Sequence, residues 1–264
     1  MGTMYENLLF DVREGVATVT LDRPDAANGI DLTLGRELMQ AAIRCDEDPA
    51  IRAVVLTGAG KMFCAGGDLK AFASYGDDLS KGLKELTVYL HAATSRFARM
   101  EAPLVTAING SAAGAGMSLA VASDIAIAAV SAKFTMAYTA AGLSPDGSST
   151  YYLPRLIGMR RTQELMLTNR RLSAEEAMAW GLLTKVVPDE ALAAEARKVA
   201  ERLAQGPTRA YGAVKALLAS SLNESLETQM ELEARGIAAM GRSADGREGI
   251  RAFLEKRAPK FTGS

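Results

Sequence analysis

Apolar positions along the chain change period several times, and each change predicts a different element. Two short runs, Asn7–Val12 and Val16–Leu21, flank Arg13-Glu14-Gly15 and predict an opening β-hairpin. Arg23-Pro24 ends that pairing, after which Leu34, Leu38, Ala42 and Cys45 recur near helical spacing. Three later runs, Ala53–Thr57, Leu104–Ile108 and Asp124–Ala128, are short and β-branched, and they alternate with helical stretches, one from about Leu79 to Met100. That alternation predicts an α/β fold of stacked β/α units with parallel strands.

From Ser173 the pattern turns to helix after helix. Ser173-Ala174-Glu175-Glu176 reads as a capping box, and Lys185–Val187 supplies one further strand before Pro188. The segments after Asp189, Pro207 and Asn223 are amphipathic, and a last helix is expected over Ala244–Arg257. A soft boundary near Pro188 to Gln205 divides the chain into a core, residues 1–190, and a helical region, residues 191–264.

Composition narrows the function classes. The 264 residues are 48% apolar and 23% charged, enough to bury a sizeable core. Thirty lysines and arginines nearly balance 31 acids with no basic stripe, which argues against nucleic acid as a principal partner. Apolar runs are broken well before the roughly 20 residues a bilayer span needs. MGTMYENLLF lacks a basic start followed by an apolar run, so a cytoplasmic protein with no membrane partner is expected. Cys45 and Cys64 have no neighbours at metal-ligand spacing, so no metal site is expected.

Two glycine-rich turns carry the chemistry. Phe63-Cys64-Ala65-Gly66-Gly67-Asp68-Leu69-Lys70 follows a strand and opens a helix capped by Asp68. Ala107-Ile108-Asn109-Gly110-Ser111-Ala112-Ala113-Gly114-Ala115-Gly116-Met117-Ser118-Leu119 repeats the strand, small-residue loop and helix. Each alone is explained by a tight turn or by close helix–sheet packing. Together they supply two sets of bare N–H groups at helix starts, as an enolate oxygen requires.

In this order, CAGGDLK and AINGSAAGAGMSLA resemble the crotonase superfamily of enoyl-CoA hydratases and isomerases; LDRP near Leu21, the Ser173–Gly181 segment and AFLEKRAPKF near Phe253 follow in family order. The resemblance implies a ββα spiral core with a helical C-terminal region that mediates trimers, often paired into hexamers. It implies an oxyanion hole made by the N–H groups of Gly67 and Ala115. It implies a coenzyme A thioester as substrate, with no permanently bound cofactor. Arg23 and Lys70 would approach the nucleotide phosphates, Ala65 and Gly67 would contact coenzyme A through backbone groups, and Phe253 and Lys256 would arrive from a neighbouring subunit. Solvated surface cations are the plainer reading of the lysines and arginines.

Family hydratases carry glutamates at the positions of Ser118 and Tyr138. One carboxylate remains, Asp146 in Gly142-Leu143-Ser144-Pro145-Asp146-Gly147, at the position where the family's phenylacetate-degradation isomerases place a catalytic aspartate. The resemblance therefore implies an isomerase that shifts a double bond by proton transfer through Asp146, although Pro-Asp-Gly is also a common exposed turn. Gly241–Gly249 resembles the same branch. His91, the single histidine, reads as structural by itself, but it matches the water-activating histidine of 4-chlorobenzoyl-CoA dehalogenases, in which an aspartate at the position of Asp146 attacks the substrate. Tyr138 stands where those enzymes have an assisting tryptophan. Three classes stay open: the isomerase, a hydratase or dehalogenase-like hydrolase, and a non-catalytic RNA-binding homologue, which the charge balance disfavours. Met62, Phe72, Tyr75, Tyr138 and Tyr151 are candidates to line an acyl pocket or simply to pack.

Overall fold

The computed structural model describes residues 5–264. Strands β1 (Leu8–Arg13) and β2 (Val16–Leu21) form the expected antiparallel hairpin, turning at Glu14 and Gly15, both with positive φ. Helix α1 (Leu32–Glu47) is capped by Asp31, whose side chain accepts from Leu34 N. Three ββα units follow. The first is β3 (Ala53–Gly58), β4 (Met62–Cys64), α2 (Leu69–Ala73) and α3 (Leu79–Arg99); the second is β5 (Leu104–Ile108), β6 (Ser111–Ala113) and α4 (Ala115–Val121). The third is β7 (Ile125–Ala129), β8 (Lys133–Thr135) and α5 (Ser149–Thr168), the last broken at Gly158. Each unit gives its first strand to one sheet and its second to another, which makes a spiral. The six-stranded sheet runs β1-β2-β3-β5-β7-β10 and is parallel from β2 onward; the four-stranded sheet runs β4-β6-β8-β9. Helix α6 (Ala174–Trp180) separates β9 (Leu172–Ser173) from β10 (Lys185–Val187), and its capping box forms as read.

Alternate residues of the large sheet serve two apolar layers. Val54, Leu56, Leu104 and Ile108 enter the main core with Leu34 and Leu38 of α1 and Leu86 and Leu90 of α3. Ala53, Val55, Val105 and Ala107 face α7 (Leu192–Ala204), which presents Leu192, Ala196 and Ala200 at helical spacing. A sheet covered on both faces has the near-continuous apolar strands seen here. Burying each large aliphatic side chain in these layers contributes roughly 1.5–3 kcal/mol.

Helices α8 (Thr208–Ser220), α9 (Leu226–Arg242) and α10 (Ala244–Leu254) complete the chain. Helix α9 buries no residue and leaves Leu226, Met230 and Ile237 exposed. Helix α10 ends three residues before the expected Arg257, because Lys256 takes a positive φ of 54° and the chain turns back. The returning tail is fastened: Asp245 accepts from Thr262 N and Gly263 N, and Arg52 donates to Phe261 O. Among the described residues no helix is long and apolar enough to cross a membrane.

Candidate active site

The first loop leaves β4 at Cys64 and enters α2 through Asp68, whose Oδ1 accepts from Lys70 N and Ala71 N. Gly66 sits between with φ 94°, where a side chain would be strained and a Cβ would lie 2.8 Å from Ala113 O. The second loop starts α4 directly from Gly114, and a Cβ on Gly116 would lie 2.2 Å from Cys64 O. Missing side chains therefore let the two loops abut. Asn28, fully buried, ties the first loop down by donating to Met62 O and Ala59 O while accepting from Arg23 N. Nothing in the sequence around Asn28 distinguishes it from an ordinary turn residue. Cys64 is also fully buried, and burial pushes its thiol up to about 12, which suits a packing residue and not a nucleophile.

This arrangement leaves two amides bare. Ile30 N donates to Gly66 O and Asp68 N donates to Ile30 O, a pairing that steps over the N–H of Gly67. Ala115 is the first residue of α4, where a helix has no internal acceptor for its N–H. Neither amide has an acceptor among the described residues. Both residues line one cavity of about 220 Å³, with Ala65, Gly114, Tyr138 and Asp146 also in its lining and Phe72, Leu86 and Leu90 among its apolar walls.

Asp146 lies on the loop between β8 and α5. Its backbone carbonyl accepts from Ser118 Oγ at 2.9 Å and Ser149 Oγ at 3.0 Å, which fixes the loop against α4 and the start of α5. Its carboxylate accepts at Oδ1 from the Tyr138 hydroxyl at 2.5 Å. Burial first, and the Asp146 charge second, push the Tyr138 phenol far above its ordinary range, so it stays a proton donor. Oδ2 has no such partner and lies 3.9 Å from His91 Nε2. That nitrogen accepts from Gly147 N at 3.3 Å, which places the neutral imidazole's proton on Nδ1. Ser118 and Tyr138, the two positions where the resemblance implies glutamates in hydratases, thus present hydroxyls that brace Asp146. Ser118 and Ser149 were not among the expected site residues; Ser118 was noticed only as the replacement of a glutamate.

The remaining expected residues are placed differently. Arg23 is largely buried and its guanidinium pairs with Asp31 and Asp68, each at 3.0 Å, so a phosphate would compete with two carboxylates already in contact. Lys70 is exposed in the first turn of α2, close in sequence to the lining residues Ala65 and Gly67. Phe253 and Lys256 are exposed near the end of α10 and do not line the cavity of their own chain. Of the aromatic and methionine candidates, Phe72 and Tyr138 line the cavity and Met62, Tyr75 and Tyr151 do not. Tyr75 instead packs behind the Phe72 ring, and the Tyr151 hydroxyl donates to Ala219 O in the helical region. Among the described residues no group of three His, Cys, Asp or Glu side chains could hold a metal ion.

A sequence model of the enoyl-CoA hydratase/isomerase family matches residues 11–264. The chain belongs to that family. It is 42% identical to the 1,2-epoxyphenylacetyl-CoA isomerase of Escherichia coli K12, over 98% of this chain and all of that one. It is also 42% identical to a Rhodobacter capsulatus protein assigned as an enoyl-CoA hydratase, over 98% of this chain and 99% of that one. Among solved structures, one from Mycobacterium abscessus assigned to the enoyl-CoA hydratases/isomerases superposes with a TM-score of 0.92 at 39% identity, covering 97% of this chain and all of the other. The ββα spiral is therefore the crotonase fold of an enzyme family, as the two glycine loops implied. Equal identity to an isomerase and to a hydratase leaves the reaction to be argued from the site.

Proposed function

We propose that this family member is a CoA-thioester isomerase that moves a double bond of an enoyl-CoA. The supporting observation is that Asp146 and two amides, Gly67 and Ala115, without acceptors among the described residues, open onto one cavity in which Asp146 is the only carboxylate among the described lining residues. The thioester oxygen accepts from both amides, which stabilise the negative charge as it forms. Asp146 Oδ2 takes a proton from the α-carbon of a 3-enoyl thioester, and the dienolate receives a proton at the γ-carbon, which leaves the double bond conjugated with the carbonyl. Hydration would need a base for water and an acid for carbon; with Ser118 and Tyr138 in the two glutamate positions, one carboxylate serves. The name of the Escherichia coli relative puts a phenylacetyl-derived ring on its thioester, and a ring of that kind suits apolar walls such as Phe72, Leu86 and Leu90.

In this reading coenzyme A crosses Ala65 and Gly67 with its phosphates toward Lys70 and Arg23. Phe253 and Lys256 reach the site of a neighbouring copy. The exposed Leu226, Met230 and Ile237 of α9 support a trimer or a dimer of trimers. The expected test is conversion of a 3-enoyl-CoA to its conjugated 2-enoyl isomer, followed by ultraviolet absorbance. Asp146→Asn is expected to slow it by roughly 10²–10⁴-fold, with affinity for a non-reactive acyl-CoA little changed. Full activity in that variant would end the assignment of Asp146.

One observation favours a second reading. His91 lies close enough to Asp146 for a substitution in which Asp146 forms an ester and His91 activates water. Release of halide or free CoA, lost in His91→Gln, would identify that chemistry.

A further inference from the structure

A second cavity, of about 1020 Å³, has His91 in its wall. Its wall is mixed: apolar residues such as Ala98, Leu218 and Leu222 stand beside His91, Ser148, Arg99, Asp124, Arg155 and Lys215, whose polar groups can hold water. The acyl cavity is bordered by Asp146 but not by His91, and the second cavity by His91 but not by Asp146. The 3.9 Å approach of His91 Nε2 to Asp146 Oδ2 is therefore a link from one cavity to the other. The Tyr138 hydroxyl occupies Oδ1, so the carboxylate oxygen free to carry the substrate's proton is the one that faces the histidine.

We infer that His91 is a positioning residue that relays protons between Asp146 and water in the second cavity, and so sets how much of the transferred hydrogen exchanges with solvent. The inference rests on Asp146 being the base. After the carbon–hydrogen bond breaks, its proton sits on Oδ2 and its electron pair in the dienolate. Two fates then compete. The proton returns to carbon, at the γ-position, or it passes to the lone pair of His91 Nε2, which gives up the Gly147 N–H and closes the gap directly or through one water. The second route leaves a carboxylate beside an imidazolium. The imidazolium loses its Nδ1 proton to water, since Nδ1 has no partner among the described residues. A solvent proton returns by the reverse steps and ends on the γ-carbon, so charge and protons balance over the turnover. Without the relay, Asp146 keeps the substrate's own proton until it goes back to carbon.

The test is isomerisation of a 3-enoyl-CoA in D2O, with deuterium per product molecule read by mass spectrometry. That ratio belongs to each turnover and does not depend on the amount of folded enzyme or on its speed. The wild type is expected to place solvent deuterium in a measurable share of its product. In His91→Phe and His91→Ala the share is expected to fall by roughly tenfold or more, and added imidazole, small enough for the second cavity, is expected to restore it in His91→Ala. A share unchanged in both variants, or left low by imidazole, overturns the relay while Asp146 stands as base. Isomerisation surviving in Asp146→Asn instead removes the base on which the relay rests.

Discussion

The hydroxyl of Tyr138 donates to Oδ1 of Asp146 at 2.5 Å, and that contact orients the carboxylate in the cavity. Removing it leaves the carboxyl group free to rotate away from a substrate carbon. Tyr138→Phe is expected to lower kcat by roughly 10- to 100-fold, with KM nearly unchanged, because the phenol touches the base and not coenzyme A. Steady-state kinetics on a 3-enoyl-CoA checks this; a wild-type kcat would show that Asp146 is held well enough by its backbone anchors, Ser118 and Ser149.

Gly116 tests how tightly the two loops meet. A methyl group there collides with Cys64 O, a backbone atom that cannot swing aside. Gly116→Ala is expected to destabilise the fold by about 1–3 kcal/mol and to depress activity more than stability at assay temperature, since the overlap pushes the Ala115 amide away from Gly67. Thermal unfolding and kcat measured on the same preparation separate the two effects.

Glu248 governs the C-terminal tail. It accepts from Arg257, Arg251 and Lys260 N, and these partners, Arg257 foremost, hold its carboxyl far below the ordinary 4.5. A pKa lowered by folding stabilises the folded form above the unfolded value, near 4.5, and that contribution fades as pH falls through the range below it. Glu248→Gln is expected to raise hydrogen exchange in residues 258–264 at neutral pH. The difference from wild type is expected to shrink as pH drops below about 4.5, where the carboxyl of the opened tail takes up a proton while the folded one stays ionised to much lower pH. A difference that stays constant down to acidic pH would assign the effect to packing.

Much of the scaffold was legible because its periods are strong. Leu104–Ile108 and Lys185–Val187 were bounded as found, and the β1–β2 hairpin was announced by Glu14-Gly15. The second sheet was not legible from periodicity, since β4, β6 and β8 have three residues each, too few to show an alternation. The apolar stripe of α7 was visible, but no local pattern says whether such a stripe meets its own sheet or another subunit; here it meets Val55 and Val105. The glycine loops showed as motifs because backbone approach selects residue type directly. Pairing of Arg23 with Asp31 and Asp68, and the meeting of His91, Tyr138 and Asp146, depend on distant segments brought together by the spiral, which spacing along the chain does not encode.

The account depends most on a thioester oxygen resting between two amides. A crystal structure with a non-reactive acyl-CoA measures this directly. The expected result is a carbonyl oxygen within about 3.2 Å of both Gly67 N and Ala115 N, with the acyl γ- or α-carbon facing Asp146 Oδ2. A carbonyl bound elsewhere, or an acyl chain turned away from Asp146, would contradict it.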